Sequence, residues 1–182
     1  MRTKLSPTTS AMSKVKFVSN QPLSMCAGLA VERRAIPSEL VKKYRLEDRI
    51  VQRQEGSEEE IHFQFYRSPT ALIPAYYGGQ LDIFEWGNRN NKQTKLPRTG
   101  WCRIESLEQG KWSYLHPEEI EIPASFGLEK GVWFQITEGM KGILVRDEQK
   151  KAHIYMLTKP ASHYYEVMTR HDREPIFIGA SI

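Results

Sequence analysis

The sequence lacks the features that mark several specialised classes of protein. It has two cysteines, Cys26 and Cys102, in 182 residues, too few for a disulfide framework. No apolar run approaches the roughly 18 residues that a membrane-spanning helix needs. The first 25 residues lack the apolar core of a secretory signal, and no cluster of cysteines and histidines has zinc-site spacing. These absences predict a cytoplasmic protein in a reducing setting, with no membrane association, no metal and no cofactor.

The net charge of +4 lies at one end of the chain. The whole sequence has 26 basic and 22 acidic residues. Residues 1–25 contain four of the cations and no acid, so residues 26–182 have 22 of each sign. The composition of residues 1–25, rich in Ser, Thr, Lys and Pro, predicts a leader that is disordered or removed. Residues 26–182 are expected to form a single domain, as a monomer.

One local patch suits nucleic acid. The stretch RNNKQTKLPRTGWCR (89–103) contains Lys95, Arg98 and Arg103, no acid, and Trp101 within it. Basic side chains interleaved with an aromatic ring favour phosphate contacts and base stacking. A solvated polar loop explains the same stretch without any function, because charge runs are common on protein surfaces.

The hydrophobic pattern predicts mostly strands. Alternation and glycine turns indicate strands within 60–67, 70–87, 119–146, 150–158 and 174–179, with Gly78-Gly79 as the turn of a hairpin. Helical periodicity after Pro37 and a start at Pro160 indicate helices within 36–50 and 160–172. The expected fold class is therefore α+β, with a mostly antiparallel, curled or barrel-like sheet and a few flanking helices.

Short stretches in a fixed order then suggest a family. They are Met25-Cys26, Trp86-Gly87, Cys102-Arg103-Ile104-Glu105-Ser106, Pro123-Ala124-Ser125-Phe126-Gly127-Leu128-Glu129, Leu157-Thr158 and His171-Asp172-Arg173-Glu174-Pro175. Together they resemble the SOS response-associated peptidase (SRAP) family, whose best-known members form covalent adducts with abasic sites in DNA. The resemblance covers about 26–182. It departs from the family at Gly28, where the family has Arg, at Trp101, where it has Asn, and at Gly127-Leu128, where it has Phe-Tyr.

The resemblance implies roles for individual residues. Cys26 would be the reactive residue, Glu129 a proton shuttle beside its amine, and His171 an acid–base group that holds the sugar or phosphate. Arg103 and Arg173 would contact phosphate, since guanidinium forks match its oxygens. Trp86 and Trp101 are stacking candidates for unpaired bases. The implied partner is single-stranded, junction or abasic DNA.

Each role has a structural alternative. Glu129 also fits a surface turn, His171 a helix C-terminal cap, and the tryptophans a core. Arg173 would otherwise pair with Asp172 or Glu174, and Arg103 with Glu105. Cys102 is interpreted as buried and inert.

The adduct chemistry needs Cys26 to be the first residue. An α-amine has a pKa of about 7.7–8.0, so much of it is neutral near pH 7.5 and can add to an aldehyde. The neighbouring thiol then closes a five-membered thiazolidine ring. An internal cysteine has an amide nitrogen and cannot react in this way. Translation from Met25 with removal of that methionine, or self-cleavage of the Met25–Cys26 bond, would expose the amine. Two other hypotheses stay open: a cysteine-dependent peptidase, and a non-catalytic DNA-binding member of the family.

Overall fold

The computed structural model describes residues 26–67, 69–89 and 91–179, which form twelve strands and three α-helices. The strands are β1 (Gly28–Glu32), β2 (Ile50–Gln52), β3 (Glu59–Gln64), β4 (Leu72–Tyr77), β5 (Gln80–Trp86), β6 (Trp101–Arg103), β7 (Glu118–Ile122), β8 (Phe126–Glu129), β9 (Val132–Gln135), β10 (Met140–Arg146), β11 (Ala152–Pro160) and β12 (Arg173–Pro175). The helices are α1 (Ser38–Lys43), α2 (Ile104–Glu108) and α3 (His163–Thr169), joined by 3-10 turns at Arg33–Ala35, Glu47–Arg49 and Ser113–Leu115.

The first sheet has the strand order β2-β3-β1-β8-β9, and every pairing in it is antiparallel. Strand β1 lies at its centre, so Cys26 enters the sheet between two neighbours. Gly28 pairs with Gln64 on β3 and with Leu128 on β8. This register places Cys26 and Ala27 beside the end of β8, where Glu129 lies.

The second sheet has the order β10-β7-β4-β5-β11-β12, and β10 also pairs with β11. The strands β10, β7, β4, β5 and β11 therefore close into a five-stranded barrel. The strand β11 is nine residues long and also pairs with β6. Its pairings with β5 and β6 are parallel, whereas the other pairings are antiparallel.

A shared hydrophobic core joins the two sheets. Its buried side chains come from both, including Leu29, Phe63, Ile73, Ile122 and Ile154. A smaller cluster under α2 contains Cys102, Trp112 and Tyr155. The fold class expected from the sequence, α+β with a mostly antiparallel, barrel-like sheet, is confirmed.

The predicted hairpin is present, and the first predicted helix is much shorter than expected. Gly78 and Gly79 both have positive φ and join β4 to β5. The helix expected within 36–50 ends at Lys43, because Arg45 adopts a left-handed conformation with φ 53°. The chain then forms a 3-10 turn and β2. No helix in the described ranges is long and apolar enough to cross a bilayer.

Candidate functional site

Cys26 and Glu129 form a buried pair at the junction of β1 and β8. The backbone N–H of Cys26 donates a hydrogen bond to Oε2 of Glu129, 103 residues further along the chain. The Cys26 thiol donates to the carbonyl of Gly28, with Sγ 3.3 Å from the oxygen. Both residues have no solvent-exposed surface. The surface-turn alternative for Glu129 is therefore wrong, because the strand turns its side chain inward.

Burial changes the proton affinity of both groups. It raises the pKa of Glu129 to about 7, although hydrogen bonds from Cys26 and Lys130 and the charge of Lys130 oppose the rise. Burial, followed by the nearby Glu129 charge, raises the pKa of the Cys26 thiol to about 12. At neutral pH the thiol is therefore protonated, and the carboxyl group can either give or take a proton.

The backbone at Cys26 is unusual. Its φ is 24°, in a region that residues other than glycine rarely adopt. Such a conformation costs of the order of 1–3 kcal/mol and persists where surrounding contacts enforce it. Here the hydrogen bonds of the Cys26 N–H and thiol hold the residue at the end of β1.

His171 follows Arg170, which contacts the side chain of the residue after Glu129. Lys130 Nζ donates to the carbonyl of Arg170, so the residues that follow Glu129 and precede His171 are in contact. The side chain of His171 is 8% exposed, and its Nδ1 accepts from the backbone N–H of Arg173 at 3.1 Å. In a neutral ring this bond leaves the proton on Nε2. The helix cap itself is Arg170, so His171 is not the capping residue of α3.

Arg173 is already engaged in an ion pair. Its guanidinium makes a two-pronged contact with Glu105, at 3.1 and 2.8 Å, and donates to the carbonyl of Thr158 at 2.9 Å. The expected alternative partners Asp172 and Glu174 were wrong, because Glu174 instead accepts from Ser162 and faces Lys159. Arg173 therefore reaches a phosphate only by sharing or leaving Glu105.

Arg103 is exposed and close to the same site. Arg103 is the last residue of β6 and pairs with Thr158 on β11, which in turn pairs with Pro175 on β12. Its charge contributes to lowering the pKa of Glu105, after the larger effect of the Arg173 hydrogen bond. The charges of the two predicted phosphate ligands, Arg103 and Arg173, thus both act on one carboxylate, Glu105.

Lys95 and Arg98 are also exposed, but Lys95 lies at the other end of the barrel. The backbone N–H of Lys95 donates to Glu148, in the turn that precedes β11. Arg103 pairs near the opposite end of β11, at Thr158. Six residues separate Ala152 from Thr158, which corresponds to about 20 Å of strand. A single strand of DNA would have to span that length to contact both.

The two predicted stacking residues are in the core. Trp86 is 1% exposed and its Nε1 donates to the carbonyl of Gly100, while Trp101 is 9% exposed. Both rings pack against Phe65, with ring centroids 5.6 and 4.6 Å apart. Neither ring presents a face to solvent, which counts against the stacking prediction for both. Cys102 is buried as expected, and burial raises its pKa to about 12.

The Phe-to-Gly departure has a clear structural counterpart. Where the family motif has Phe, this chain has Gly127, and a Cβ there would lie 2.3 Å from Cζ of Phe134. Phe134 on β9 therefore occupies the space over Gly127. At Gly28, a Cβ would lie 3.0 Å from the carbonyl oxygen of Phe63. The neighbouring strands leave little room there for the family's arginine.

One residue near the pair was missed by sequence reasoning. Tyr165 on α3 is buried, and its hydroxyl has no hydrogen-bond partner among the described residues. Burial raises its pKa, and the charges of Cys26 and Glu129 add to the rise. The sequence predicted the helix, but nothing in it distinguished Tyr165 from the exposed Tyr164. In the described ranges, no three His, Cys, Asp or Glu side chains could share a metal ion.

The fold and this site together define an α+β protein with a buried cysteine–carboxylate pair. No family model matches the chain, and no curated protein matches it. Its fold is similar to the X-ray structure of a protein from Bacteroides thetaiotaomicron, with a TM-score of 0.53 and 12% identity. That similarity covers 85% of this chain and 77% of the other. At this identity the likeness shows the fold alone, so the SRAP resemblance stays a prediction.

Proposed function

We propose that the protein captures abasic sites in single-stranded or junction DNA through a thiazolidine formed by Cys26 as an N-terminal residue. The observation that carries the proposal is the buried contact between the Cys26 nitrogen and the Glu129 carboxylate. A carboxyl group with a pKa of about 7, placed at that nitrogen, suits the proton transfers that amine–aldehyde condensation requires.

The chemistry has two bond-forming steps. The Cys26 amine adds to the aldehyde carbon of the ring-opened sugar, and the carbinolamine takes a proton from Glu129 and loses water to give an iminium ion. The Cys26 sulfur then adds to the same carbon and its proton passes to Glu129. The net reaction joins amine, thiol and aldehyde into a thiazolidine with release of one water. Because the thiol is held protonated, the amine is the group that attacks first.

The strained backbone at Cys26 supports the processing step. While residue 26 is joined to residue 25, φ is fixed at 24°. Breaking the Met25–Cys26 bond removes that torsion as a constraint and releases a cost of the order of 1–3 kcal/mol. In self-cleavage the Cys26 thiol would attack the Met25 carbonyl, and Glu129 would take the thiol proton and pass it to the leaving Cys26 nitrogen. Water would then hydrolyse the resulting thioester.

Two further residues are proposed to hold the rest of an abasic nucleotide. His171 lies one residue from the Lys130–Arg170 contact, and its Nε2 makes no hydrogen bond within the described residues. It is assigned the role of donor to a sugar or phosphate oxygen. Arg103, exposed beside Glu105 and Arg173, is assigned a flanking phosphate.

Two measurements test this function. Intact mass shows whether active protein starts at Cys26. Incubation with abasic single-stranded DNA, followed by a denaturing gel, shows whether a covalent adduct forms. We expect an adduct from the chain that starts at Cys26 and none from Cys26→Ala. Cys102→Ala is the matched control and should leave the adduct intact, because Cys102 lies in the separate cluster under α2.

The second candidate is a DNA-binding protein without covalent chemistry. Full burial of Cys26 and its high thiol pKa favour it, since both oppose nucleophilic attack. Salt-sensitive DNA binding with no denaturant-stable band, from protein confirmed to start at Cys26, would establish this second function and exclude the first.

A further inference from the structure

Arg49 is a buried arginine whose charge the described residues compensate poorly. Its residue surface is 6% exposed, and neither Nε nor Nη1 has a hydrogen-bond partner among the described residues. Buried guanidinium groups are almost always paired, because an uncompensated charge inside a protein is strongly unfavourable. An arginine in this state is therefore unusual unless the site binds an anion.

The groups facing Arg49 do not neutralise it. Burial and the positive charge of Arg67 both lower the pKa of Arg49, and the opposing effect of Asp48 is smaller. Asp48 is committed to Arg67, whose Nη2 donates to its carboxylate. Two guanidinium groups thus lie near one carboxylate, which bonds to Arg67 and is itself largely exposed.

A third arginine fixes the segment on which Arg67 stands. Arg89 donates from Nη1 to the carbonyls of Phe65 and Arg67, at 3.2 and 3.1 Å, and from Nη2 to that of Pro69 at 3.2 Å. Because both Nη atoms donate to backbone carbonyls, Arg89 holds the backbone around Arg67 in place. The position of Arg67 relative to the sheet is therefore set before any ligand arrives.

Arg67 lies near the point where Cys26 enters the first sheet, and Arg49 lies further along β3. The N–H of Phe65 donates to the carbonyl of Ala27 at 3.0 Å, and Arg67 follows two residues later. Arg49 directly precedes β2, in which Ile50 pairs with Ile61 of β3. Arg67 therefore follows the end of β3 that runs alongside Cys26, whereas Arg49 lies beside the middle of β3, where His62 pairs with Ala30 of β1.

We propose that Arg49 and Arg67 form a binding site for a phosphate group. A tetrahedral oxyanion offers acceptors in several directions and enough charge to balance two guanidinium groups, which a single carboxylate does not. The phosphate comes either from a nucleic-acid backbone beside Cys26 or from free inorganic phosphate. The first source rests on the proposed function, and the second does not.

The first experiment uses inorganic phosphate and thermal unfolding of the full chain carrying Cys26→Ala. We expect phosphate to raise Tm saturably, by about 3 to 6 °C at about ten times its Kd, relative to KCl of equal ionic strength. In the same chain, Arg49→Met should abolish that shift. It should also raise Tm without phosphate by about 2 to 4 °C, because it removes an unpaired buried charge.

The matched control is Arg34→Met, which removes an exposed arginine that already pairs with Glu32. It should leave the phosphate-dependent shift unchanged. The proposal is overturned if Arg49→Met lowers Tm and keeps the full phosphate shift, since Arg49 would then be a structural residue with a partner of its own. It is also overturned if phosphate and KCl act alike on the parent chain.

The second experiment separates the two sources of phosphate. Binding of a single-stranded oligonucleotide is measured by anisotropy at several salt concentrations. If the site holds a backbone phosphate, Arg49→Met should weaken binding about three- to tenfold for all sequences and reduce the salt slope by about 0.7. If Arg49→Met leaves DNA binding unchanged but still abolishes the phosphate-dependent Tm shift, the site binds free phosphate. That assignment holds even if no abasic-site adduct ever forms.

Discussion

At the scale of single residues, Glu129 makes stability depend on pH. Its pKa is about 7 in the folded chain against 4.5 for an ordinary glutamate, so the folded state binds more protons between those values. Stability then falls as pH rises through that window, and the cost is complete above pH 7. The full difference corresponds to about 3 kcal/mol.

Glu129→Gln should remove this dependence. In the Cys26→Ala background, the unfolding free energy of the Glu129→Gln chain should gain about 2 to 3 kcal/mol on its parent between pH 4.5 and 7.5. The measurement is urea unfolding at a series of pH values. Glu121→Gln, an exposed change on β7, is the control and should run parallel to the parent. If the unfolding free energy of Glu129→Gln also followed that of its parent across this pH range, the pKa of Glu129 would not be raised in the folded chain.

Gly127 makes a second prediction at this scale. A methyl group there meets the ring of Phe134, so Gly127→Ala should destabilise the chain by about 1 to 3 kcal/mol in urea unfolding. Phe134→Leu replaces that ring with a smaller side chain. Gly127→Ala should therefore lower the free energy of unfolding less in the Phe134→Leu background than in the wild-type chain. Additive costs would show that Phe134 does not occupy the space above Gly127.

At the scale of elements, the Arg173–Glu105 pair joins β12 to α2 beside the site. Glu105→Gln weakens this pair and frees Arg173 for phosphate. Affinity for single-stranded DNA should rise about two- to fivefold, and the salt slope should become steeper by up to about 0.7. Anisotropy titrations at several salt concentrations measure both.

Glu108→Gln removes the same charge from the exposed end of the same helix. Glu108→Gln should change DNA affinity less than Glu105→Gln does, and it should leave the salt slope nearly constant. Equal effects of the two variants would mean that overall charge matters and that Arg173 does not reach the DNA.

The same scale shows what sequence alone can predict. The Gly78-Gly79 hairpin was predictable, because two adjacent glycines can adopt the positive φ that the turn uses. The end of α1 was not, because an arginine in a left-handed conformation leaves no local signal. Strand β6 was missed, since three residues are too few for a pattern. Its place in the sheet is decided by pairing with β11, far along the chain.

The candidate site divides in the same way. Cys26, Glu129 and His171 were predicted because a family resemblance places them, and the register between β1 and β8 brings the first two together. Arg49 and Tyr165 were not predicted. Each has a buried polar atom that finds no partner among the described residues, a property that depends on the surrounding packing and not on residue type.

At the scale of the whole molecule, the net positive charge and the proposed reactive residues lie in different parts of the chain. Residues 1–25 carry four cations and no acid, while residues 26–182 are balanced at 22 of each sign. Non-specific DNA affinity depends on neutralising phosphates. Under the proposed function, residues 1–25, which lie outside the described ranges, should strengthen reversible DNA binding, although their presence keeps the Cys26 nitrogen in an amide.

Removing the leader should thus change two DNA activities in opposite directions. The full chain with Cys26→Ala should bind single-stranded DNA reversibly, with a salt slope steeper by up to about 3 than that of a Cys26→Ala chain from which residues 1–25 have been removed. Covalent capture of an abasic site should occur only with wild-type protein that starts at Cys26. Anisotropy, denaturing gels and intact mass on the same samples measure the three quantities. An adduct on a chain that still carries residue 25 would exclude the thiazolidine, because an amide nitrogen cannot form it.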